Sequence, residues 1–128
     1  MLKRFLNKFL TYYVYRDWNI AIADISEDLD PVNVKWMKHN YRDRWFADPF
    51  VISETDDCYI VLVEECMHAS GRGRIARLHV TKDTCELVKN ETILDLPTHL
   101  SFPNFVINQT TTYLYPENAS AGNTRYYR

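Results

Sequence analysis

Glycine and proline are scarce in this sequence, 3 and 5 residues among 128, which excludes collagen-like and low-complexity chains. An excess of one charge is also lacking. Fifteen Lys and Arg against 17 Asp and Glu leave a formal net charge of -2, without the basic field by which nucleic-acid binders displace counterions from phosphates. No nucleic-acid partner is expected. The three cysteines, Cys58, Cys66 and Cys85, are odd in number and unrelated in spacing, with no C-x-x-C or paired Cys/His motif. Neither a disulfide framework nor a zinc site is indicated, and no metal or other cofactor is expected. Lys3, Arg4 and Lys8 interrupt the N-terminal apolar residues, so the apolar core of a secretory signal is missing, and no later stretch reaches membrane-spanning length. The simplest compartment is the cytoplasm. The N-x-[ST] triplets at Asn90, Asn108 and Asn118 then have no route to a glycosylating enzyme.

What is present is a large apolar fraction, 46%, with 14% aromatic residues, enough for one modest domain with its own core. Leu2, Phe5, Leu6, Phe9, Leu10 and Tyr13 recur at helical spacing opposite Lys3, Arg4, Asn7, Lys8 and Thr11. This predicts an amphipathic helix over residues 1–15, laid on the domain flank or a partner subunit; peripheral contact with an anionic membrane is the alternative. From Trp18 onward β-branched and aromatic runs alternate with polar clusters. Strands are expected over 18–25, 32–37, 50–52, 59–64, 75–80, 86–94, 104–107, 112–115 and 124–127.

Two stretches about 50 residues apart echo one another. In the first, Asp48-Pro49-Phe50-Val51-Ile52 leads to Tyr59–Glu65 and then Arg74–Leu78. In the second, Phe102-Pro103-Asn104-Phe105-Val106-Ile107 leads to Tyr113–Glu117 and then Thr124–Tyr127. Such a period, with about four strands per unit, is the signature of propeller blades, which hide their faces only by stacking on neighbours. The expected class is all-β: a partial β-propeller over residues 16–128, with a first repeat at 46–97 and a truncated second at 98–128, behind the N-terminal α-helix.

At Trp45-Phe46-Ala47-Asp48-Pro49-Phe50, Gly73-Arg74-Ile75, His99-Leu100-Ser101-Phe102-Pro103 and Tyr115-Pro116-Glu117, the chain resembles the five-bladed propellers related to glycoside hydrolase family 43. It is most similar to the propeller at the N-terminus of glucosamine inositolphosphorylceramide transferases and in bacterial proteins of surface-polysaccharide loci. The resemblance covers about residues 18 to 128, the N-terminal part of a propeller roughly twice as long. It implies a general base on the first blade, a tuning aspartate on the second and a general-acid glutamate on the third, holding one carboxyl protonated and another ionised around a water. Asp48 fits the base. Asn104 stands where the tuning aspartate is expected, and the acid falls on a blade outside these residues.

Each candidate has a structural alternative. Asp48 before proline is also a way to open a strand, its carboxylate accepting backbone N–H bonds. Trp45 and Phe46 offer faces for a sugar ring or for the core. His99 and Asn104 are the other candidate ligand-binding residues, His99 alternatively bonding a nearby backbone group. Glu65 and Glu117 are further carboxylates whose recurrence in both repeats favours blade building over catalysis. Arg72, Arg74 and Arg77 read as a solvated face, or as contacts to a phosphate or acidic sugar. Three functions compete. The first is a non-catalytic, glycosidase-like module for carbohydrate binding or assembly in glycan metabolism. The second is an inverting glycoside hydrolase completed by missing blades or by oligomerisation, and the third a structural, self-associating protein. An unclosed propeller leaves a sheet face and a strand edge in water, so a homo-oligomer, or further C-terminal blades, is expected in every case.

Overall fold

The computed structural model describes residues 17–128. The helix expected over residues 1–15 lies outside the described residues. The described chain is all-β and antiparallel, with eight strands in three sheets. Strands β1 (Ala21–Ile25) and β2 (Pro31–Trp36) form a hairpin. A four-stranded meander follows, β3 (Arg44–Glu54), β4 (Cys58–Met67), β5 (Arg72–Thr81) and β6 (Leu87–Leu94). A second hairpin, β7 (Phe105–Asn108) and β8 (Thr111–Leu114), ends the series. No helix among the described residues is long and apolar enough to cross a membrane.

The meander is covered on both faces, which explains why β4 reads almost continuously apolar instead of alternating. On one face Val61, Val63, Ala76, Leu78 and Val80 pack with Phe46 and Cys85 against Ile20, Ile22 and Met37 around the first hairpin. On the other, Leu62 and Ile75 meet Leu100, Phe105, Leu114 and Tyr127. Each wholly buried Leu or Ile contributes about 1.5–3 kcal/mol relative to exposure, so the central sheet depends on both neighbours for most of its core.

Hydrogen bonds reveal a repeat that continues through all three sheets. The Phe46 N–H donates to the Trp18 carbonyl at 3.3 Å, and the Leu100 N–H to the Gly73 carbonyl at 2.9 Å. Asp48 and Phe102, each before a proline, both have positive φ, 50° and 49°. Ala47 pairs with Glu64 and Ser101 with Glu117. The β1–β2 turn also repeats the β5–β6 turn. The Asp30 N–H donates to Ser26 Oγ at 3.1 Å and the Glu86 N–H to Thr81 Oγ1 at 2.9 Å, while Leu29 and Cys85 share a left-handed conformation. All these pairs lie roughly 55 residues apart, one supersecondary unit per period. By these pairings the first hairpin corresponds to the β5–β6 half of the meander and the last hairpin to its β3–β4 half.

Several expectations are corrected. The edge strand β3 begins at Arg44 and runs through Asp48-Pro49, where its register shifts by a bulge, instead of starting at Phe50. The strand expected over 124–127 is reduced to one bridge between Leu114 and Tyr127, so the second repeat is two strands with two isolated bridges, the other joining Ser101 and Glu117. Judged by cross-strand partner, Glu64 rather than Glu65 is the counterpart of Glu117. Arg74 does not belong to a solvated face: its Nε bonds Glu65 Oε2 at 2.6 Å.

Candidate functional site

The two equivalent positive-φ positions meet. The Phe102 N–H donates to Asp48 Oδ2 at 3.1 Å, so the Asp48-Pro49 bulge of β3 is tied to the Phe102-Pro103 turn that precedes β7. A non-glycine residue with positive φ is strained, and such strain persists only where the surroundings hold it; here the carboxylate of one strained turn caps the amide of the other.

Beside this joint lies a cleft of about 550 Å³, walled by Trp18, Trp45, Pro49, Phe50 and Phe102, with Asp48 and Glu64 at its polar end. Phe50 and Phe102 stack edge to face, centroids 5.4 Å apart. Strand parity explains the presence of Glu64: it shares a face with Leu62 and pairs across with Ala47, whereas Glu65 pairs with Phe46 and faces the other way. Glu64 is only 5% exposed. Burial pushes its carboxyl up to about 7, helped by a hydrogen bond to Asp48 and by that residue's charge.

His99 completes the group. The Gly73 N–H donates to its Nδ1 at 2.9 Å, which leaves the proton of the neutral ring on Nε2. That nitrogen lies 3.3 Å from Glu64 Oε1, without the alignment of a hydrogen bond, since Oε1 has no hydrogen-bond partner among the described residues. Gly73 is required at this crossing because a Cβ there would overlap the Leu100 carbonyl oxygen and Glu64 Oε1.

The residues singled out in the sequence divide accordingly. Asp48 and Trp45 line the cleft and His99 stands beside it. Phe46 contributes to the cleft wall but is fully buried, its ring edge-on to His39 and Tyr41, so it offers no open face to a sugar. Asn104 is held in its own turn, its N–H and Nδ2 both donating to the Phe102 carbonyl. Glu117 is exposed, and its backbone pairs with Ser101. Glu65 is wholly buried on the opposite face and bonded by Arg44, Arg74 and Asn90 at 2.8, 2.6 and 2.7 Å. Burial alone would raise its pKa, but these three donors outweigh it and hold the carboxyl below its ordinary value.

Sequence reading passed over Trp18, Glu64 and Phe102. The available signal for Glu64 was its parity with Leu62 along an apolar strand. A larger open cleft, about 740 Å³, lies between Met37–Tyr41 and Glu86–Asn90 and contains none of the predicted residues. Among the described residues no group of three or more His, Cys, Asp and Glu is placed to hold a metal ion. Compared with known protein families, curated proteins and solved structures, the chain matches none.

Proposed function

We propose that this chain is the N-terminal part of a glycosidase-type β-propeller that binds carbohydrate without hydrolysing it, and that the sugar lies in the cleft between Trp45, Phe102, Asp48 and Glu64. The fold half of this reading is supported by the period: three successive sheets joined by the same inter-sheet hydrogen bonds, each covered only by its neighbours. The ligand half rests on one observation, the convergence of two carboxyls with exposed aromatic rings at the joint of two units. Aromatic faces take the apolar faces of a pyranose, and carboxyls accept from its hydroxyls.

The carboxyl arrangement favours binding over the hydrolase alternative. Inverting hydrolysis separates its two carboxyls by about 6.5–9.5 Å to admit a water, and the retaining reaction by about 5–5.5 Å. Asp48 and Glu64 adjoin, with Glu64 nearly closed to solvent, which disfavours a water seated between them. A hydrolase would need its acid from outside the described residues, with Asp48 as base.

The test is a titration with neutral monosaccharides followed by NMR. The expected outcome is a saturable shift of the Trp18 and Trp45 indole signals that Trp45→Ala weakens at least about 10-fold. Absence of any shift at millimolar sugar sinks the reading, and release of product from aryl glycosides, abolished by Asp48→Asn, replaces it with the hydrolase.

A further inference from the structure

Glu64 and Glu65 are neighbours whose charges are met in opposite ways. Glu65 has two guanidinium groups and an amide supplied by the fold. Glu64 has none of these. Among the described residues neither Glu64 nor Asp48 forms an ion pair with a lysine or arginine. The groups facing Glu64 are Asp48 from β3, His99 from the segment before β7 and Cys66 on its own strand; the Cys66 thiol is itself pushed up by burial and by Glu64. Glu64 is nearly closed to solvent and its Oε1 has no hydrogen-bond partner among the described residues, so its charge beside Asp48 calls for a proton or another cation. The cleft opens onto this pair and its walls are tryptophan and phenylalanine, whose faces attract cations.

We propose that the ligand of this cleft carries a primary ammonium group, which seats against Asp48 and Glu64 beneath the aromatic walls; resting on the carbohydrate reading above, this makes the ligand an amino sugar. No covalent bond changes. The ammonium donates to the two carboxylates, and the proton that burial holds on Glu64 leaves to solvent, so the charge of the pair is balanced before and after. A neutral sugar leaves the proton in place and brings no cation to the remaining carboxylate. An N-acetylated sugar carries an amide in place of the cation and loses the charge-assisted bonds.

The experiment is titration calorimetry of the whole chain with glucosamine, N-acetylglucosamine, glucose and methylammonium. It is run at slightly acid pH, where amines are protonated, in two buffers of different ionisation enthalpy. Glucosamine is expected to bind at least about 10-fold more tightly than glucose or the N-acetyl sugar, with proton release revealed by the difference between buffers. Glu64→Gln, shaped like the protonated acid, should abolish both the preference and the release. If that variant does not fold, Asp48→Asn should weaken the preference. Equal binding of the three sugars, or a preference for the N-acetyl sugar, overturns the ammonium seat and leaves the carbohydrate reading standing. Methylammonium binding with proton release, but no binding of any sugar, sustains the seat and overturns the carbohydrate reading. Silence with all four overturns both.

Discussion

At the end of β4 the side chain of Glu64 turns toward the cleft and that of Glu65 toward the opposite core, and the two contribute oppositely to stability as pH changes. The folded pKa of Glu64 is raised, from 4.5 to about 7. Between those values the folded state holds a proton that the unfolded state has lost, so stability falls as pH rises through that window. A shift of this size corresponds to about 3 kcal/mol. Glu64→Gln should therefore match the wild type in urea unfolding below the window and exceed it by up to about 3 kcal/mol above it; equal midpoints at both ends would show that the carboxyl is not held protonated. Glu65 has a depressed pKa, so its contribution is present above the ordinary carboxylate range and fades as pH falls through it. Glu65→Gln removes the buried charge that Arg44 and Arg74 share, leaving them Asp43 and Asp95, and should cost about 1–3 kcal/mol at neutral pH, read from the same unfolding curves. None of this was visible from the residues Glu64-Glu65 alone. A one-residue change of register exchanges their faces, and parity with Leu62 along β4 is what brings Glu64 to the cleft.

Between elements the decisive place is the crossing of β5 with the segment leading to β7, where the Gly73 N–H and carbonyl engage His99 and Leu100. Gly73→Ala should destabilise by about 1–3 kcal/mol, as overpacking does. Because the overlap falls on the next unit, amide exchange should quicken at Leu100 and Phe102 while the β4–β5 ladder keeps its protection; uniform loss across the meander would contradict this placement. The strands of the meander were legible in the sequence, since Tyr59–Val63 and Ile75–Val80 are apolar and bounded by turn residues. The kinship of the first hairpin with β5–β6 was not. It resides in a hydroxyl accepting a backbone N–H and a left-handed residue just before the returning strand, carried once by Ser26 and Leu29 and once by Thr81 and Cys85. Nothing in a leucine or a cysteine announces positive φ.

For the molecule as a whole, the outer face of the first sheet has no cover among the described residues: Val32, Val34 and Trp36 occupy alternate positions of β2 and are all exposed, Trp36 by 63%. No described strand pairs with the free side of β1. A bare apolar face beside an open edge favours association. Sedimentation should show a mass that rises with protein concentration and falls back in Val34→Lys combined with Trp36→Lys, whereas a monomer at every concentration would rule the interface out. The internal echo made the stacking of units legible, because two similar stretches of alternating strands were read as similar sheets. The depth of the repeat was not, for it reaches into the first hairpin through backbone bonds and not through matching side chains.

The bond from the Phe102 amide to Asp48 has one more consequence. A polypeptide ending at Pro97 would retain all four strands of the meander, yet its cleft would be incomplete, because the histidine, the second phenylalanine and the amide that fixes the aspartate all arrive with the following segment. The cleft belongs to the seam between the meander and that segment, so the meander transplanted alone would not carry it over.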